Sequence, residues 1–99
     1  MLFEQRIYTL ESESADRFWA LQHERGFDLV RPIMERLMGY FSTRMHDRDV
    51  IVHWWRFDSY EDWHRRLHGL YQVKDLEDYF KKVRALLFTQ ENKFLSHSP

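Results

Sequence analysis

Apolar side chains are densest over Val50–Phe57, VIVHWWRF. Every residue there is β-branched, aromatic or long, and neither Gly nor Pro interrupts, which is what a packed strand favours. Side chains alternate across a strand. Val50, Val52, Trp54 and Arg56 therefore share one side, and Ile51, His53, Trp55 and Phe57 share the other. Both sides are largely apolar, so a central, doubly covered strand is predicted. Leu2–Leu10 reads as a strand with Phe3, Gln5, Ile7 and Thr9 on one side and Leu2, Glu4, Arg6, Tyr8 and Leu10 on the other. Leu37–Met45 and Leu87–Leu95 complete four predicted strands.

Between them the period lengthens. Ala15, Phe18, Trp19, Gln22 and Gly26 fall at i, i+3, i+4 spacing after a polar Glu11–Ser14 turn, with Ser12 or Ser14 as N-cap. Gly26 is expected to end or bend this helix, and Phe27–Arg36 to continue as a shorter segment with Pro32 near its start. Asp58-Ser59-Tyr60-Glu61-Asp62 has the form of a helix start, with Ser59 as N-cap and Asp62 three residues on. That helix runs through Trp63, Leu67 and Leu70, and a second segment spans about Lys74–Leu86. His46-Asp47-Arg48-Asp49 is a polar hairpin connection, and the tail Ser96–Pro99 is expected to fray.

The order β-α-β-β-α-β is the split βαβ, ferredoxin-like arrangement of an α+β chain. Right-handed crossovers give an antiparallel sheet of strand order 4-1-3-2 with both helices on one face. A bare second face carrying aromatic groups and the Glu4/Arg6/Tyr8 line would need a second subunit to cover it.

Ninety-nine residues make one domain over residues 1–99, able to bury a core without disulfides or metal. A net charge of −1 gives no electrostatic reason for nucleic acid or an anionic membrane as partner. No Cys is present, which excludes disulfides, thiolate chemistry and cysteine-ligated metal. The N-terminus lacks the basic and apolar regions of a signal peptide, so the expected compartment is the cytoplasm. Four Trp, five Tyr and eight Phe are many for so small an interior, which points to a subunit interface or a ligand cavity, with an aromatic-rich core alone as the alternative.

Four motifs carry a resemblance: Glu4-x-Arg6-x-Tyr8-Thr9-Leu10, Gly39-Tyr40-Phe41, Val52-His53-x-Trp55-x-Phe57-Asp58-Ser59 and Gln90-Glu91-Asn92. In order and spacing they resemble the NIPSNAP domain over almost the whole chain, Leu2 to Leu95. Gln5, Ile7 and the Trp54-Trp55 doublet depart from the usual pattern. The resemblance implies a dimeric α+β barrel, in which two ferredoxin-like protomers pack sheet to sheet with a cavity between each sheet and the dimer interface. Animal members carry mitochondrial leaders; the absence of one here suggests a stand-alone bacterial form. No chemical activity comes with the family.

The predicted cavity sits on the helix-free face. Glu4, Arg6 and Tyr8 would face it beside His53 and Trp55, joined by Tyr40 and Ser42 from the second strand and Gln90 and Asn92 from the fourth. A His beside a carboxylate, an Arg and a phenol can do acid–base work or bind a carbonyl or carboxylate; the same groups can equally be a satisfied network that fixes an interface. Three functions are compatible with this. They are a pocket for a small apolar or aromatic ligand, a cofactor-independent monooxygenase or isomerase, and an interaction module with a filled cavity. His64 and His68 stand four apart but lie beside Arg65 and Arg66 without a third ligand, so a solvated helix face, with no metal or cofactor, is expected.

Overall fold

The sheet is built around Arg48–Phe57 (β3), which pairs antiparallel with Leu2–Leu10 (β1) on one side and Leu37–Met45 (β2) on the other. The computed structural model describes residues 1–96. Leu87–Ser96 (β4) lies on the far side of β1, giving the order β2-β3-β1-β4, which is the predicted 4-1-3-2. Ser96 closes β4, and the rest of the predicted frayed tail, residues 97–99, lies outside the described residues. The β2–β3 hairpin is tighter than expected. Met45 pairs with Arg48, so only His46 and Asp47 turn, with His46 at φ 57°.

Register places side chains in rows. Tyr40, His53, Arg6 and Asn92 stand abreast across the four strands, and Ser42, Ile51, Tyr8 and Gln90 form the adjacent row. The alternation is as predicted, but the side is reversed: the face bearing Glu4, Arg6, Tyr8, Tyr40, His53 and Trp55 lies under the helices. The buried core joins Leu2, Leu10, Ile51, Trp55 and Phe57 of this face to Phe18, Ile33, Leu70, Leu76 and Tyr79 of the helical layer. Burying each such side chain contributes about 1.5–3 kcal/mol. The physical reason for the reversal is in the row itself, whose ends (Leu2, Leu10, Ile51 and Phe57) are fully apolar and outweigh the polar middle. Trp55 and Phe57 are therefore core residues and not part of a bare surface. The outer face instead carries Trp54, 44% exposed, against Phe41, 47% exposed, with ring centroids 4.9 Å apart. Trp54 Nε1 donates to Gln5 Oε1 at 2.8 Å, which ties the two central strands on that side.

The first helical connection departs from regular α-geometry. Ala15–Leu21 (α1) passes through a π-helical turn, Gln22–Gly26, into the short Phe27–Leu29 (α2), and a 3-10 segment Arg31–Arg36 leads to β2. Ser14 is the N-cap residue of α1 but makes no side-chain capping bond. Gly26 does not end the helix, because its backbone is helical (φ −59°, ψ −47°). It is small because Tyr79 is there: a Cβ at Gly26 would collide with the Tyr79 hydroxyl and stand 2.8 Å from its Cζ.

Tyr60–Leu70 (α3) starts as its sequence predicts. Ser59 is extended, its Oγ accepts from the Asp62 N–H at 3.1 Å, and Asp62 Oδ2 accepts from the Asp58 N–H at 2.9 Å. The arrangement resembles a capping box, with the Asp62 carboxylate reaching one residue past the N-cap to the Asp58 N–H. Asp62 also accepts from Arg65 at 2.9 Å and Arg66 at 3.0 Å, which pairs its buried charge. Leu76–Arg84 (α4) is shorter than the predicted segment, starting after Asp75 at φ 68°. Among the described residues no helix is long and apolar enough to cross a membrane.

Substituting Gly26→Ala tests the close approach. Better helix propensity returns about 1 kcal/mol, whereas overpacking against buried Tyr79 costs about 1–3 kcal/mol. A net destabilisation is expected as a lower urea midpoint. A midpoint at or above wild type would show that the Tyr79 ring yields freely.

Candidate functional site

Glu4 is the most buried charged residue on the sheet, at 1% exposure. A carboxylate placed there must be paired. Arg6 Nε lies 3.0 Å from Oε2, Asn92 Nδ2 donates to the same oxygen at 3.2 Å, and Trp63 Nε1 of α3 donates to Oε1 at 3.3 Å. Burial alone would lower the Arg6 pKa. The neighbouring Tyr8 and Glu4 outweigh it, so the net shift is upward and the guanidinium stays charged.

Beyond this ion pair, between the sheet and the helical layer, is a cavity of about 130 Å³. Its floor is Arg6, Tyr8, Tyr40, His53, Trp55 and Gln90; Phe18, Gln22, Ile33, Leu70, Tyr79 and Phe80 are among the residues of its roof. His53 is packed among rings. It stacks on Tyr40 with centroids 4.5 Å apart, meets Tyr8 edge-on at 5.1 Å and Trp55 at 6.0 Å. Among the described residues, four polar atoms of these lining side chains are buried without a hydrogen-bond partner; Arg6 Nε still has Glu4 as its ion-pair partner, which leaves His53 Nε2, Trp55 Nε1 and Tyr40 Oη. Buried polar groups are ordinarily satisfied, so three such atoms around one space are unusual.

Six of the nine residues singled out from the sequence thus line one cavity, although it lies beneath the helices and not at the outer sheet face. Glu4 and Asn92 support it from the side through Arg6. Ser42 shares the face but is exposed on edge strand β2 and does not line the cavity. The helical half of the lining was not foreseen. Tyr79 Oη donates to Gln22 Oε1 at 2.9 Å across the roof. The available signal was Gln22 itself, a polar residue on the otherwise apolar Ala15/Phe18/Trp19 stripe. His64 and His68 lie on α3, and among the described residues no three His, Asp or Glu groups converge to hold a metal.

The site has a calculable pH signature. Desolvation, and then the charge of Arg6, lowers the His53 pKa from 6.5 to about 3. Below pH 6.5 the unfolded chain binds a proton that the folded chain refuses. His53 therefore contributes stability that is complete above pH 6.5 and is lost as the pH falls toward 3. Asp62, held to about 2 chiefly by the Asp58 N–H, loses its contribution only below the ordinary carboxylate range. Urea unfolding should show a loss of about 2 kcal/mol between pH 7 and pH 5, and His53→Phe should remove most of it. Equal pH dependence in both proteins would mean that His53 is solvated.

Comparison with known proteins finds chains of similar overall fold. A NIPSNAP-like domain protein from Burkholderia xenovorans is 32% identical, with 99% of this chain covering 88% of that one at a TM-score of 0.82. A protein from Agrobacterium tumefaciens is 26% identical, with 99% of this chain covering 94% of that one at a TM-score of 0.87. A dimeric ferredoxin-like protein from an uncultured marine organism shares the fold at 15% identity, with 99% of this chain covering 90% of that one and a TM-score of 0.70. No curated protein matches significantly. The NIPSNAP family model matches residues 3–99, and the chain, whose sheet and helices have the ferredoxin-like arrangement, belongs to the NIPSNAP family.

Proposed function

We propose that this chain is a homodimer that binds a small apolar or aromatic ligand in the cavity between its sheet and its helices. The observation that carries the ligand half is the lining, with three buried polar atoms, outside the Arg6–Glu4 ion pair, unpartnered around about 130 Å³ of space. Apolar cavities of roughly 150 Å³ accept a benzene-sized guest, so the ligand is about one ring in size. Walls from Phe18, Ile33, Leu70 and Phe80 favour apolar surface, and the polar floor orients what enters.

The dimer half rests on the outer sheet face. Phe41, Trp54 and Leu95 are each about half exposed there, with Met38 beside Trp54. Contiguous apolar surface of this kind favours association. A two-fold pairing lets the same patch cover itself. The cavity lies on the opposite side of the sheet, so pairing leaves it accessible from the helical side.

Sedimentation should give a dimer at micromolar concentration, and Trp54→Glu should dissociate it without unfolding. A monomeric wild-type protein would sink the pairing. For the pocket, a screen of single-ring aromatic compounds by thermal unfolding should find stabilising binders. A ligand present at a hundred times its Kd stabilises by about 2.7 kcal/mol. His53→Ala should weaken such binding while the dimer persists. A screen in which no compound raises the unfolding temperature would reject the pocket.

A further inference from the structure

We infer that the cavity selects a neutral single-ring compound bearing a carbonyl oxygen, and rejects both carboxylates and amines; the inference rests on the pocket reading above. It follows from an inventory of what the polar atoms can do. Trp55 Nε1 can only donate. Tyr40 Oη belongs to a phenol that burial keeps protonated, so it too has a hydrogen to give. His53, neutral in this setting, offers Nε2, which donates or accepts according to which ring nitrogen carries the hydrogen. Trp55 Nε1 and Tyr40 Oη therefore each have a hydrogen to give, whichever tautomer His53 adopts. The natural complement is one oxygen with two lone pairs and no hydrogen of its own.

Charge narrows the class. Arg6 is the cation on the floor, and Glu4 already neutralises it at 3.0 Å. Arg84 lies at the roof, is half exposed, and donates to Glu77 at 2.8 Å. A carboxylate entering the cavity would be a buried charge without a free counter-ion. An ammonium group would need acceptors, but both Glu4 oxygens are occupied, one by Trp63 and the other by Arg6 and Asn92. A hydrocarbon would fit the walls and leave the donors unpaired. The ring faces and edges of Tyr8 and Tyr40 around His53 complete the preference for a flat guest.

Four probes of similar shape separate these cases: acetophenone, isopropylbenzene, benzoate and benzylamine, titrated into the full chain at pH 7. Acetophenone should bind about tenfold more tightly than isopropylbenzene, the worth of roughly one good hydrogen bond, and benzoate and benzylamine should bind more weakly than either. Acetophenone, but not isopropylbenzene, should shift the Trp55 indole N–H resonance of the wild-type protein. Tyr40→Phe and Trp55→Phe should each narrow the gap between the first two probes. Equal affinity for acetophenone and isopropylbenzene would overturn the carbonyl inference and leave an apolar pocket standing. Tightest binding of benzoate or benzylamine would overturn it in favour of a charged ligand. Failure of all four to bind would reject the pocket reading, and the inference with it.

Discussion

A carboxylate in the middle of a sheet, with almost no contact with water, dictates much of the surrounding arrangement. Glu4 stands on β1, the strand between β3 and β4, and its three partners come from three elements: Arg6 from β1 itself, Asn92 from β4 and Trp63 from α3. Removing any one partner would leave part of a buried charge uncompensated, which is far more costly than the bond is worth when made. The three contacts therefore hold α3 over the sheet, β4 in register and Arg6 turned toward the carboxylate. With Arg6 so held, its charge reaches His53 and disfavours protonation there. Burial is the larger cause of the neutrality of His53, and the ion pair at the cavity's edge adds to it.

Much of this was legible in the sequence, because much of it is periodic. Strand limits, strand order and the set of residues sharing each side follow from an alternation of two and from the handedness of crossovers. The Ser59–Asp62 cap was legible because its chemistry is local. What alternation does not carry is which side faces the helices. A polar line of Glu4, Arg6 and Tyr8 reads as a surface unless the satisfying group is known, and that group, Trp63, is 59 residues away. The apolar row ends, Leu2 and Leu10, were the better guide. The π-helical turn was hidden for a different reason. At its end the Tyr79 phenol packs against Gly26, a contact between distant elements that leaves no periodic trace.

The two sides of the sheet divide the chemistry between them. Beneath the helices, polar atoms are confined by rings and are either paired, as Glu4 is, or left facing a space, as His53 is. On the outer face, polar groups are spent on the sheet itself, with Gln5 accepting from Trp54 across the central pair of strands. Under the proposed pairing the outer side supplies cohesion and the inner side recognition. Changes to one would then have little need to disturb the other.

The doublet Trp54-Trp55 straddles that division. Consecutive in the chain, the two indoles project through opposite surfaces of β3, one half exposed beside Phe41 and the other buried beside His53. Their emission should differ accordingly, since indole fluorescence follows the polarity around the ring. A protein retaining only the first as an optical reporter would register what happens outside the sheet. One retaining only the second would register what enters the cavity, so a single pair of neighbouring residues provides a separate window on each half of the molecule.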